Sequence, residues 1–263
     1  MKEFVTGVSV SIMNYTIQAS QRTPALVIYL IDISASMNMM MENKRRIDIV
    51  YDALSLAIRQ MVFRSTKGNR LTPRYRIAIL AYSDDVYDLL NGIKGIDEVA
   101  AIGSLPDLTP KRFSDSAKAF LQAEKILQAE IPNMQDCPAP LVCHMTDGVA
   151  TGEDPEPIAK RIMGMSVPDG NVLVENIFIT DHMLDQPIQQ PRRWKGILPN
   201  TELMDEHATK LRNMSSVLPE SYREMLVEAD YQLDPGALMM LPGTCAELVS
   251  IGFQMSAATP VRA

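Results

Sequence analysis

Cysteine is scarce in this sequence. Cys137, Cys143 and Cys245 form no Cys-x-x-Cys pair and are odd in number, which argues for a reducing compartment rather than a disulfide framework. They read as small buried hydrophobes. Basic residues are outnumbered, 25 Lys and Arg against 32 Asp and Glu, so a phosphate-backbone partner, which needs basic patches that release counterions, is not expected. No apolar run is long enough to span a bilayer, and Met1 to Gly7 lacks the long apolar core of a signal peptide, so the cytoplasm is the expected location. There is no Gly-x-Ser-x-Gly elbow, no phosphate-cradling Gly-x-x-x-x-Gly-Lys loop and no His-Glu-x-x-His helix.

What is present is a chain of 263 residues, 46% hydrophobic, in which strand and helix patterns alternate, enough to bury one large α/β core. Ala25 to Ile31 is a continuous apolar run after Thr23-Pro24, the pattern of a strand buried on both faces, since a half-exposed strand would alternate. At its carboxyl end stand Asp32, Ser34 and Ser36, where an open parallel sheet leaves a crevice for ligands. Three hard oxygens can converge from that one loop. Equally, Asp32 can cap the next helix while the serines satisfy turn amides.

Before this strand, Val8, Val10 and Ile12 alternate with serines and predict a half-exposed strand in an N-terminal extension over 1–22. After it, a cluster of methionines (Met37, Met39, Met40 and Met41) precedes a helical stripe at Ile47, Val50, Tyr51, Leu54, Ile58 and Met61. The methionines read as packing filler or as an adaptable apolar rim. Tyr75 to Tyr82 is a second buried strand, turning through Ser83-Asp84-Asp85 into an antiparallel edge strand from Val86. Asp107-Leu108-Thr109-Pro110 lies in a loop, Ser114 reads as an N-cap, and Ala117, Phe120, Leu121 and Leu127 mark a helix. Leu141 to Met145 is a third central strand running into Thr146-Asp147-Gly148, with His144 expected to be a satisfied core histidine. The strand over 171–180 ends in Asp181-His182, read as turn-capping residues, and Ala237 to Leu241 is the last short strand.

Asp32-x-Ser34-x-Ser36, the loop residue Thr109 and Thr146-Asp147-Gly148, carried in that order by alternating strands and helices, resemble the metal-ion-dependent adhesion site of von Willebrand factor type A domains. The resemblance covers roughly Thr23 to Ser256 and looks nearest to bacterial intracellular proteins of the tellurium-resistance and conflict-system kind. It implies a doubly wound, Rossmann-like, mostly parallel six-stranded sheet in the order 3-2-1-4-5-6 with one antiparallel edge strand, spanning 23–256; the prolines and missing periodicity mark a loop insertion at 182–200, and the end of the chain a flexible tail at 257–263. It also implies metal ligation by Asp32, Ser34, Ser36, Thr109 and Asp147, with Ser104 as the alternative loop hydroxyl. Ala35 stands where the family commonly has glycine, and Thr109 lacks the usual glycine-rich context.

Chemistry supports a cation independently. Hydroxyl and carboxylate oxygens without a nearby histidine or thiolate suit a hard ion, Mg²⁺ or else Mn²⁺ or Ca²⁺. Two carboxylates balance its charge, and the neutral hydroxyls leave it electrophilic enough to take an Asp or Glu of a protein partner. The expected function is therefore a metal-dependent protein–protein dock and not an enzyme. A Mg²⁺-dependent phosphohydrolase using Asp32 is the alternative, but such enzymes want a second aspartate two residues on, where this chain has Ser34. A metal-free scaffold is a third reading. Within the long, proline-containing segment from Met183 to Asn200, Arg193 and Trp194 are candidate partner-binding residues, expected beside the metal, or else a cover for the sheet edge.

Overall fold

The computed structural model describes residues 15–148, 151–180 and 183–256. The expected strand at Val8 to Ile12, Asp181-His182 and the tail over 257–263 fall outside them. Six strands form the main path of one sheet: β1 (Ala25–Asp32), β2 (Tyr75–Tyr82), β3 (Val86–Asp88), β4 (Leu141–Thr146), β5 (Leu173–Phe178) and β6 (Met240–Pro242). Their spatial order is β3-β2-β1-β4-β5-β6, as the resemblance implies. All neighbours are parallel except β2 and β3, and a seventh short strand, Lys94–Gly95, adds antiparallel to β2.

The strand sequences explain the layering. In β1, Val27, Tyr29 and Ile31 enter one core and Leu26, Ile28 and Leu30 enter the other, so no residue of the strand is left to face water. The first core is closed by the helices α1 (Arg46–Ser65), α2 (Ile96–Ile102) and α7 (Ala246–Ser256), the second by α3 (Ser116–Glu130), α4 (Glu156–Gly164) and α5 (Glu206–Asn213). The stripe expected on α1 is the buried one, with Ile47, Val50, Leu54, Ile58 and Met61 inside. A smaller cluster at the β6 edge takes in Tyr222 and Leu226 of α6 (Glu220–Glu228). Among the described residues no helix is long and apolar enough to cross a membrane.

Residues 15–24 contain no strand, and a single carboxylate clips the start of this segment to the domain. Asp169 Oδ1 accepts the Thr16 and Ile17 amides at 2.9 Å each, and its Oδ2 accepts the Ala139 amide at 3.0 Å. Three small antiparallel ribbons, at Met40–Met41 with Lys44–Arg45, Thr66–Lys67 with Arg70–Leu71, and Ser166–Val167 with Gly170–Asn171, decorate the connections. The first of them stands between the Asp32 loop and α1.

Candidate metal centre

Parallel strands release their chains at one end of the sheet, and β1 and β4, being neighbours, bring Asp32 and Thr146-Asp147 together there. Asp32 is fully buried and saturated with donors. Its Oδ1 accepts the Ser34 amide at 2.7 Å, while Oδ2 accepts the Ser114 hydroxyl at 2.9 Å and the Thr146 hydroxyl at 2.8 Å. Ser34 and Ser36 lie with their hydroxyl oxygens 3.1 Å apart. Burial raises the Asp32 carboxyl above its ordinary pKa and the nearby Asp147 charge adds to the rise, while the bonds from Ser34 and Thr146 oppose it. A carboxylate held this way is stabilised by any cation brought to it.

The loop hydroxyl differs from the expected one. Thr109 is exposed and makes no hydrogen bond to Asp32, Ser34 or Ser36 among the described residues, and Ser104 is exposed as well. Ser114 takes the place at the carboxylate. The loop docks over the end of β1, with the Lys111 amide bonded to the Ile33 carbonyl at 2.6 Å, and the chain then turns so that the buried Ser114 faces Asp32. Thr151 fixes it from the other side, its amide donating to the Ser114 carbonyl and the Ser114 amide donating to Thr151 Oγ1. The expected N-cap role falls to Asp115, whose side chain accepts the Lys118 amide at 3.3 Å. The signal available in the sequence was a hydroxyl one residue before a helix cap, indistinguishable by itself from the cap.

Asp147 reaches the centre but is engaged by a residue the sequence did not single out. The Arg46 guanidinium, from the first turn of α1, bonds Asp147 Oδ2 at 3.1 Å, and the two side chains are 14% and 3% exposed. Gly148 follows with φ of +118°, and a Cβ there would meet the Phe178 ring at 2.5 Å, so the turn away from Asp147 requires glycine.

Beneath the site runs a polar chain. Asn176 Nδ2 donates to the Met214 carbonyl at 3.0 Å, which turns its Oδ1 toward His144 Nδ1, 2.8 Å away. That nitrogen therefore carries the proton, and Nε2 accepts the Tyr82 hydroxyl at 2.8 Å. Burial lowers the His144 pKa to about 4, so the ring is a neutral core histidine, as expected. Between this chain and α5 lies a cavity of about 200 Å³ lined by Thr146, Gly148, His207 and Lys210.

The donor set fits a hard divalent cation. Asp32, Ser34, Ser36 and Ser114 offer only oxygen, the donor type hard cations take.

Trp194 is held by apolar packing. It is half-buried where two apolar clusters meet, and its neighbours pair with residues on both sides of β6 in the chain: Arg192 with Asp230 before it and with Glu247 of α7 after it, and Lys195 with Asp234. The Leu238 amide bonds the Ile197 carbonyl, so this part of the segment lies along the outer edge, beside the chain that leads into β6. Arg193 is exposed and makes no ion pair among the described residues. Replacing Trp194 by alanine is expected to cost about 2–3 kcal/mol, below the range for a fully buried tryptophan, in urea unfolding and to leave cation affinity unchanged.

No family model and no curated protein sequence matches this chain. Solved structures do match it: a von Willebrand factor type A protein from Catenulispora acidiphila (14% identity, TM-score 0.54, covering 90% of this chain and 43% of that one). The pilus adhesin SpaC from Lactobacillus rhamnosus GG matches at 12% identity and TM-score 0.53, covering 91% and 31%. Proximal thread matrix protein 1 from the mussel byssus matches at 14% and 0.51, covering 91% and 48%. The chain thus spans less than half the length of these three structures. At such identities the likeness speaks for the fold, and with the strand order above it establishes that this chain has the fold of von Willebrand factor type A domains.

Proposed function

We propose that this protein is a metal-dependent protein–protein interaction module, in which Asp32, Ser34, Ser36, Ser114 and Asp147 hold a divalent cation, directly or through water, and a partner's Asp or Glu docks there. The observation that carries the reading is the buried Asp32 carboxylate, aimed among hydroxyls from two loops and the end of β4 at the ligand end of the sheet. A Mg²⁺ or Mn²⁺ ion held there supplies an open, electrophilic position for a carboxylate. The chain's own residues orient that encounter. Asp32 fixes the hydroxyls, Gly148 turns the chain clear, and the exposed side chains of Met39, Met40 and Phe113, from the two loops that supply Ser36 and Ser114, provide apolar contact for residues flanking the acidic one. The reading assigns no catalytic group: the position two residues after Asp32, where a phosphohydrolase of the aspartate-nucleophile type carries its second acid, is Ser34. A cytoplasmic place in a bacterial stress or conflict system belongs to the same proposal and rests on the motif resemblance and the sparse cysteines.

The test is capture of partners from the cell of origin by immobilised wild type and Asp32→Asn, each with Mg²⁺ and with chelator, alongside assays on generic phosphate and ester substrates. Capture that needs both Asp32 and the cation, with no turnover, is expected. Phosphatase activity lost in Asp32→Asn would replace this reading with the hydrolase.

A further inference from the structure

The basic run Lys44-Arg45-Arg46 enters α1 beside the Asp32 loop, and its three members are treated differently by the fold. Lys44 bonds Asp52 at 2.7 Å and Arg45 bonds Asp48 at 2.7 and 2.8 Å, all on the exposed surface of the helix that follows. Arg46 turns inward instead, crossing 101 residues of sequence to reach Asp147. Its side chain is only 14% exposed and its Nε is buried without a hydrogen-bond partner among the described residues. A guanidinium buried with one of its donors unsatisfied is an expensive counter-ion. What it neutralises is the Asp147 carboxylate, itself 3% exposed.

We infer that Arg46 is a built-in competitor for the cation: it neutralises Asp147 while the site holds no metal and must yield that carboxylate when one enters, so it sets the cation concentration at which the dock becomes competent. The inference rests on the metal-docking reading above and deepens it. The physical reason is linkage. Whatever free energy the ion pair contributes to the metal-free protein must be given up on metal binding, and it subtracts from the affinity. The local anchorage suits such a role. Arg46 is held at its amide by the Met39 carbonyl at 2.9 Å, at the base of the Met40–Arg45 ribbon, and its guanidinium meets Met39 Sδ at 3.9 Å, on the segment that follows Ser34 and Ser36.

A purely structural salt bridge and a competitor make opposite predictions for metal affinity. The experiment titrates Mn²⁺ and Mg²⁺ calorimetrically into wild type, Arg46→Met and Arg46→Gln, and records melting with and without metal. Glutamine leaves a neutral donor for Asp147, so it removes the competing charge while keeping the carboxylate hydrogen-bonded and the fold intact. The competitor role requires both variants to bind metal more tightly, by about tenfold or more, the scale expected when a close charge pair in a sheltered site is removed. It also requires a lower melting temperature without metal and a larger rise on its addition. Unchanged or weaker metal binding in the variants, with wild type binding normally, would overturn the inference and leave the docking reading standing. No metal binding by any of the three would overturn both.

Discussion

Replacing Glu175 by glutamine is expected to make the protein progressively more stable relative to wild type as the pH rises from 5 to 7. Glu175 lies in the middle of β5 with no exposed surface, and neither carboxylate oxygen has a hydrogen-bond partner among the described residues. Its cross-strand neighbour on β4 is Cys143, whose own neighbour on β1 is Tyr29. The Tyr29 hydroxyl is already engaged with Ser256 Oγ at 2.5 Å, and α7 closes over the row so tightly that a Cβ on Gly252 would come within 3.4 Å of Glu175 Oε1. Burial therefore raises the Glu175 carboxyl well above its ordinary value of 4.5, and contact with the Cys143 thiol opposes only part of that rise. A raised folded-state pKa contributes stability that is fully present below the unfolded value and is lost as pH climbs through the folded one. Within that window each pH unit costs wild type about 1.4 kcal/mol that the glutamine variant does not lose. Urea unfolding of both proteins at pH 5, 6 and 7 measures the difference, since every other titrating group cancels. A difference that does not change with pH would show that Glu175 is solvated or paired.

The second large effect is the response to cation. With Mn²⁺ or Mg²⁺ a hundredfold above its dissociation constant, the wild-type protein should gain about 2.7 kcal/mol of stability. Asp32→Asn should abolish that gain, because it removes the one carboxylate around which Ser34, Ser114 and Thr146 are arranged. Ser114→Ala should lose most of it. Thr109→Ala should keep it, since Thr109 is exposed and apart from the hydrogen-bonded cluster.

The parts of this fold legible in the sequence are those where one local pattern has one physical meaning. Ala25 to Ile31, Tyr75 to Tyr82 and Leu141 to Met145 are apolar on both faces because each strand is covered on both, and the stripe from Ile47 to Met61 can only be the buried side of a helix. Asp32 and Asp147 were readable for the same reason: a carboxylate directly after a fully buried strand has few places to go. Ser114 was not readable, because its bond to Asp32 spans 82 residues and its local setting is that of a helix cap. The Arg46–Asp147 pair spans 101 residues and looks in sequence like part of an exposed basic run. The packing of Trp194 was not readable from where its loop leaves β5, because length defeats such an inference. Fourteen residues beyond Thr180 the chain has travelled along the sheet edge to pair with the segment before β6.

The claim on which the functional account depends is that the Asp32 cluster binds a divalent cation, and the measurement that tests it most directly is calorimetric titration of Mn²⁺ and Mg²⁺ into wild type and Asp32→Asn. One saturable site in wild type, absent from the variant, is the predicted result. Equal binding by both proteins, or none by wild type, would contradict it.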